Sequence, residues 1–136
     1  MIYNFVEYLM TEFPAETFFV NTRTPIAGAE TIPDRNTLIR ETGGPETPWF
    51  GYVQKSLQIL TRDKSTPLVR KLAWDIYEKI QSVFGLILPA VTVGGTIYPA
   101  IQVAQISSIQ QPYCLGDDGE GRMEFTENFK CIYRRE

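Results

Sequence analysis

The chain has 136 residues, of which 43% are hydrophobic, 12% aromatic and 21% charged, with a formal net charge of −3. This length and composition predict one globular domain, residues 1–136, that can bury a core without a disulfide or a structural metal. The weakly acidic balance argues against sequence-independent DNA binding, and the absence of histidine excludes Ser-His-Asp and Cys-His catalytic systems and most zinc sites.

The first third of the sequence predicts a helix followed by two strands. Apolar residues recur at helical spacing over residues 2–13, and Pro14 ends that helix. Aromatic and β-branched residues over 17–22 predict a strand. Residues 23–35 contain two prolines and a glycine and are expected to form a loop, after which residues 36–41 form a short strand.

A chain reversal and a longer strand come next. Residues 43–51 open with Gly-Gly-Pro, and because neither a lysine nor a helix start follows, they predict a turn and an irregular connection rather than a phosphate-binding loop. Alternation over residues 52–62 places Val53, Leu57 and Ile59 on one face, opposite glutamine and serine side chains. That pattern predicts a strand with one buried face.

The best-defined element is a central amphipathic helix. Thr66 suits the N-cap position because its hydroxyl can accept a hydrogen bond from a free backbone N–H. Pro67 suits the first helical position because no donor is needed there. An apolar stripe then runs from Val69 to Phe84, and Gly85 is expected to end the helix in a left-handed conformation.

The remainder of the chain predicts strands only. Residues 91–98 form a hairpin around two glycines, and the strand that follows changes its apolar face at Ile106, which indicates a bulge or a break. Residues 122–134 alternate strictly, and only Glu127 interrupts their apolar face. The order of elements predicts an α+β fold, with a mainly antiparallel sheet packed against the central helix and the N-terminal helix.

An acidic turn is the candidate for metal chemistry. Asp117, Asp118 and Glu120 are interspersed with glycines, and Glu124 lies beyond them. Such carboxylates could hold Ca²⁺ or Mg²⁺ and activate water in a metal-dependent hydrolase. Because the spacing does not match the calcium-loop pattern, a tight turn between strands is the favoured interpretation, and no metal or cofactor is expected.

Charged residues near strand ends and one aromatic pair are candidates for a subunit interface. Charge complementarity governs partner choice at interfaces, although ordinary solvated strand ends are the competing interpretation. Trp49 and Phe50, between a proline and a glycine, are either an exposed aromatic anchor or part of the core. The candidate interface residues are Arg40, Glu41, Trp49, Phe50, Arg62, Asp63, Asp117, Asp118, Arg122 and Glu124.

Cysteine use and hydropathy indicate a cytoplasmic setting with no membrane partner. Cys114 and Cys131 are expected to be free thiols, because disulfide-stabilised secreted domains usually carry more cysteines in a shorter chain. The longest apolar run, residues 83–93, is broken by glycine and proline and is far shorter than the ~20 residues of a membrane span.

Three stretches form an ordered set. Residues 39–45 are a strand that runs into a Gly-Gly turn, and residues 57–63 are a strand ending in Arg-Asp that leads into the helix at 73–80. Residues 112–122 carry a proline, a Gly-Asp turn and an arginine before the last strand. In this order and spacing, over about residues 36–134, they resemble the tail terminator proteins of long-tailed bacteriophages, also called tail completion or minor capsid proteins.

The resemblance implies a small α+β structural subunit without catalytic residues. It implies a ring, usually a hexamer, at the head-proximal end of the tail tube, which stops tube polymerisation and offers a surface for head joining. The expected partners are further copies of the chain, the tail tube protein and a head connector or adaptor protein, with DNA passing through the lumen without specific binding.

The resemblance also implies a location. The chain is expected in the virion, at the neck of the phage tail, and in the host cytoplasm during assembly. Contacts with neighbouring subunits are expected from residues 23–35 and 45–51. A head-closure or connector adaptor protein of the neck is the alternative function, and a carboxylate-metal hydrolase is the remote one.

Overall fold

A computed structural model describes residues 1–23, 32–43 and 51–134. Its helices are α1 (Ile2–Glu12) and α2 (Thr66–Ile80). Its strands are β1 (Phe18–Val20), β2 (Asn36–Gly43), β3 (Tyr52–Asp63), β4 (Val83–Phe84), β5 (Ile87–Leu88), β6 (Val91–Val93), β7 (Thr96–Tyr98), β8 (Ile101–Asp117) and β9 (Met123–Arg134). Two helices with mainly antiparallel strands confirm the predicted α+β class.

One sheet organises the molecule. Its strands lie in the order β1-β2-β3-β9-β8-β4, and β5 also pairs with β8. β1 is parallel to β2, and the other pairings of this sheet are antiparallel. β6 and β7 form the predicted hairpin, in which Gly94 and Gly95 have φ of +56° and +82°, as a type I′ turn requires.

Both helices cover the same face of the sheet. Helical stripes on α1 and α2 meet alternate residues of the strands, so the two periodicities share one core. Fully burying one large apolar side chain contributes about 1.5–3 kcal/mol. This core comprises Ile2, Phe5, Val6, Leu9, Ile39, Leu57, Ile59, Leu72, Ile76, Tyr77, Ile80, Leu88, Val103, Ile106, Phe129 and Cys131.

A small cluster covers one end of the helix-free face of the sheet. There Phe19, Leu38 and Leu60 form a small buried cluster with Ile32 packed against it. The second half of β3 is therefore buried on both faces, and the prediction of one buried face was wrong for that half. The first half of β3 keeps partly exposed polar side chains on this face, as predicted.

The ends of α2 differ from the prediction. The N-cap is Ser65, whose Oγ accepts a hydrogen bond from the Leu68 N–H at 3.4 Å, and Thr66 is the first helical residue. The helix ends at Ile80, and Gly85, with φ of +66°, lies after β4 instead. The apolar spacing at the helix end is compatible with either a continued helix or a short strand. Residues 83–84 form a strand because Val83 pairs with Ile106 on β8.

β8 is longer than its neighbour β9 because it is bulged. The register with β9 shifts between Val103 and Gln105, which leaves Ala104 as an extra residue and confirms the predicted change of face before Ile106. Three further shifts follow along the same strand. No helix in the described parts of the chain has the length and apolar character needed to cross a membrane.

Candidate functional site

The acidic turn between β8 and β9 uses its carboxylates within the turn. Asp117 Oδ1 accepts a hydrogen bond from the Gly119 N–H at 2.6 Å, and Asp118 Oδ1 accepts one from the Glu120 N–H at 2.9 Å. That backbone bond, and then the Arg122 guanidinium, hold the pKa of Asp118 below its usual value. Within residues 1–23, 32–43 and 51–134, no three Asp, Glu, His or Cys side chains converge as metal ligands would.

Arg122 joins this turn to the segment before β2. Its Nε lies 2.7 Å from Asp118 Oδ2 and its Nη2 lies 2.8 Å from Glu120 Oε2. Its Nη1 lies 3.5 Å from Asp34 Oδ1, across a wide separation in sequence. One guanidinium therefore holds the acidic turn to Asp34 in the segment before β2, and its planar set of donors suits several oxygens at once.

Arg62 lies beneath this contact and is only 7% exposed. Its Nη2 donates to the Pro33 carbonyl at 3.3 Å, and its Nη1 is 4.0 Å from Asp118. Its Nε has no hydrogen-bond partner among the described residues. Desolvation, and then the nearby Arg122 charge, lower the pKa of Arg62. The contacts described for this enclosed side chain therefore lie within the chain, at this end of the sheet.

Four predicted interface residues thus meet in one charge network. Arg62, Asp118 and Arg122 are joined as described, and Glu124 faces Arg23 at 3.7 Å. Arg23 Nε also donates to Asn36 Oδ1 at 2.6 Å. The network holds the chain on either side of residues 24–31 against the end of the sheet. The spacing of these four residues in the sequence did not predict that they would lie close together.

The other predicted interface residues lie apart from the network. Asp63 accepts a hydrogen bond from Arg35 at 2.9 Å, Arg40 is exposed along β2, and Glu41 is 4.0 Å from Lys55. Asp117 stays within its turn. Trp49 and Phe50, and the predicted contact segment around them, lie outside the described residues, as do residues 24–31 of the other predicted contact segment.

The strand β8 forms an open edge of the sheet along residues 107–117. β4 and β5 pair with β8 only at residues 101–106, so residues 107–117 have β9 as their one strand partner among the described residues. From Ser107 to Gly116 this edge carries no charged residue. Unprotected edges of this kind present free N–H and C=O groups and are natural sites of association.

Bulges turn apolar side chains of this edge outward. The register with β9 shifts between Ser108 and Gln110 and again between Cys114 and Gly116. The extra residues at these bulges are Ile109, which is 58% exposed, and Leu115, which is 50% exposed, and Tyr113 between them is 41% exposed. Because a bulge re-aims the side chain that it adds, the edge displays separate apolar projections rather than a flat strand.

A hollow lies on the helix-free face, at the opposite end of β8. It has a volume of about 310 Å³ and is lined by Tyr52, Phe84, Ala104, Gln105 and Ile132. Ala104, the extra residue at the bulge between Val103 and Gln105, has only a methyl side chain and so leaves space in the hollow. Phe84 was predicted to lie on the helical stripe, but it is 69% exposed and forms one wall. None of these five described lining residues is charged.

Asn4 fastens the β6–β7 hairpin to α1. Its Nδ2 donates to the carbonyls of Pro89, Tyr98 and Pro99 at 3.0, 3.3 and 2.9 Å. The residue is fully buried, and its Oδ1 has no partner in the part of the chain that the structure describes. The amide therefore holds the hairpin against α1. Asn4 also lines an open pocket of about 420 Å³, together with Tyr98 and Pro99.

Glu127 is the most unusual titratable group. It is 1% exposed, and neither carboxyl oxygen has a hydrogen-bond partner among the described residues. By strand alternation it faces α2, between the buried side chains of Phe125 and Phe129. Burial raises its pKa to about 9, so it is protonated at neutral pH. In the sequence, the only sign of this buried carboxyl was that Glu127 interrupts the apolar face of residues 122–134.

Comparison with protein-family models gives no match, and comparison with curated proteins gives no significant match.

Proposed function

We propose that the chain is a non-enzymatic structural subunit that forms a ring at the head-proximal end of a phage tail tube. The ring terminates tube polymerisation and provides the head-tail joining surface. The proposal rests on the ordered resemblance over about residues 36–134 and on one structural observation. That observation is the uncharged edge at residues 107–116 of β8, which has β9 as its one strand partner among the described residues and exposes Ile109, Tyr113 and Leu115.

The physical reason is that an open strand edge with exposed apolar side chains is a natural site of association. Bulges and Pro112 oppose the addition of a further strand here, but residues 107–116 carry no charge that would keep the apolar side chains from another protein surface. Apolar projections on an uncharged strand favour association with another protein surface, which for a ring is a further copy of the chain. The net charge of −3 suits a lumen through which DNA passes without being bound.

Self-association of the purified protein tests the proposal. Mass photometry and light scattering should give an oligomer of defined size, and electron microscopy should show rings at one end of tail tubes. Ile109→Lys should abolish the oligomer, because a charge on the edge opposes burial. Met10→Lys is the matched control, since Met10 is 48% exposed on α1, which packs against β1, β2, β5 and β6, and it should leave the oligomer intact.

The outcomes separate the neighbouring functions. A monomer at high concentration, with no ring on tubes, contradicts the proposal. Binding to the portal complex but not to tail tubes identifies a head-closure or connector adaptor protein instead.

A further inference from the structure

The middle of the helix-free face of the sheet is polar. Leu57 and Phe129 pair within the core, so the residues that alternate with them on β3 and β9 face away from both helices. Cross-strand pairing extends this surface in rows over β2, β3, β9 and β8. This polar face comprises Arg40, Gln54, Ser56, Gln58, Ser107, Gln110, Asn128 and Lys130.

The polar face carries positive charge only. Arg40 is exposed and Lys130 is partly exposed, and the other six residues are neutral. The ion pairs formed among the described residues involve neither cation. Glu124 is on the same side of the sheet but lies two rows beyond Asn128, where it faces Arg23. The face therefore has the opposite sign to the net charge of −3.

We infer that the polar face contacts the phosphate backbone of duplex DNA, weakly and without regard to base sequence. The inference goes beyond the proposed function, which gives DNA a path but no surface to touch. Exposed charges more than about 10 Å apart are largely screened in 0.1 M salt, so the local charge of this face outweighs the net charge of the chain. Backbone contacts let a protein slide along DNA, which is compatible with passage.

The side chains of this face are of the kinds that contact phosphate oxygens. Besides arginine and lysine, these are serine, asparagine and glutamine. Asn128 Nδ2 donates to Gln110 Oε1 at 3.0 Å, which orders one row. Arg40 and Lys130 lie two strands and one row apart, or about 12 Å at ordinary sheet spacing. Because duplex DNA carries a charge about every 1.7 Å of its axis, the two cations should meet separate phosphates.

The face lacks the features that other macromolecular partners need. Protein interfaces have an apolar core enriched in aromatic residues, and the polar face contains neither an apolar nor an aromatic side chain. Single-stranded nucleic acid binds largely by stacking its bases on aromatic side chains, and Tyr52 and Tyr113 lie outside these rows. The outside of a duplex, which offers phosphates, is the partner that fits.

Fluorescence anisotropy with a labelled DNA duplex tests the contact. The wild type should bind at low salt, and duplexes of different base sequence should bind equally. If one copy contacts two phosphates, its affinity should fall roughly twelvefold between 50 and 200 mM salt. The fall should be steeper where several copies of an oligomer contact one duplex.

A matched pair of double variants locates the contact. Arg40→Gln with Lys130→Gln should reduce the slope of log affinity against log salt by about 1.8 for each copy in contact. Arg70→Gln with Lys71→Gln removes the same residue types from the exposed side of α2, across the sheet, and should bind like the wild type. Circular dichroism and thermal melts should show that both double variants are folded.

Three results would overturn the inference. One is a wild type that does not bind duplex DNA at low salt. Another is equal weakening by the two double variants, which would indicate an effect of overall charge. The third is competition by poly-glutamate as effective as by DNA at equal charge, which would indicate an acidic protein as the partner.

Light scattering on the same samples keeps this inference separate from the proposed ring. Arg40→Gln with Lys130→Gln should form the same oligomer as the wild type, because neither residue lies on β8. An oligomer that does not bind DNA overturns the contact and leaves the ring standing. A monomeric wild type that binds DNA through these two residues overturns the ring and leaves the contact standing.

Discussion

The buried carboxyl of Glu127 predicts an unusual dependence of stability on pH. The carboxyl is 1% exposed and lacks hydrogen-bond partners among the described residues, so ionising it in the folded state is unfavourable. Its pKa is about 9 when folded and 4.5 in its ordinary state. Between these values the folded chain keeps a proton that the unfolded chain releases. Raising the pH therefore favours unfolding, and this contribution to stability is fully present only below about pH 4.5.

The magnitude follows from proton linkage. A difference of one bound proton changes the free energy of unfolding by about 1.4 kcal/mol per pH unit. From pH 5 to pH 8 the wild type should therefore lose about 4 kcal/mol through this one group. A typical domain has a total stability of about 5–15 kcal/mol, so the loss should be plain in ordinary measurements.

Glu127→Gln isolates the effect because glutamine has nearly the same shape and does not ionise. Wild type and variant should differ least at pH 5, where both side chains are neutral in the folded chain and the unfolded glutamate has only begun to favour the ionised form, and the variant should be more stable by several kcal/mol at pH 8. Urea unfolding followed by circular dichroism at pH 5, 6, 7 and 8 measures the difference. Glu78→Gln, on the exposed side of α2, is the matched control and should follow the wild-type pH profile.

Two results would refute this reasoning. One is a stability difference between wild type and Glu127→Gln that does not change with pH. The other is a variant less stable than wild type at pH 8, which would mean that the carboxylate is ionised and well solvated or paired in the folded chain.

Three further outcomes are expected. Asn4→Ala should cost about 1–3 kcal/mol in urea unfolding, because three carbonyls lose a buried donor, and an unchanged midpoint would contradict the role of this amide as a fastener of the hairpin. Ser65→Ala should lower the free energy of unfolding by about 1 kcal/mol, and an unchanged value would indicate that Thr66 is the N-cap instead. A thiol reagent should modify Cys114 in the native monomer and Cys131 only after unfolding, because burial raises the pKa of Cys131 to about 12; two fast native thiols would contradict this.

Much of the fold could be predicted from local pattern. The stripe on α2, the two glycines of the β6–β7 hairpin and the alternation of β9 each depend on neighbours in sequence, and each predicted element is present. The end of α2 was missed because Val83 and Phe84 fit both a helical stripe and a short strand. Pairing with β8, distant in sequence, decided between them.

The candidate site was only partly predictable for the same reason. The sequence identified Arg62, Asp118, Arg122 and Glu124 as notable charges, but their distances depend on how the β8–β9 turn meets the segment before β2. The open edge and the hollow are also properties of strand order and bulges, and no local pattern specifies which strand lies outermost.

By itself, then, the sequence determined the α+β class, the buried stripe of α2 up to Ile80, the core-facing side of β9 and the lack of histidine chemistry. The tertiary structure alone decided that residues 107–117 of β8 have β9 as their one strand partner, that Arg62 is enclosed and that Glu127 has no hydrogen-bond partner, each among the described residues. Periodicity reports the environment of a side chain relative to its own element. Edges, hollows and unpaired buried groups arise from what other elements do or do not place against it.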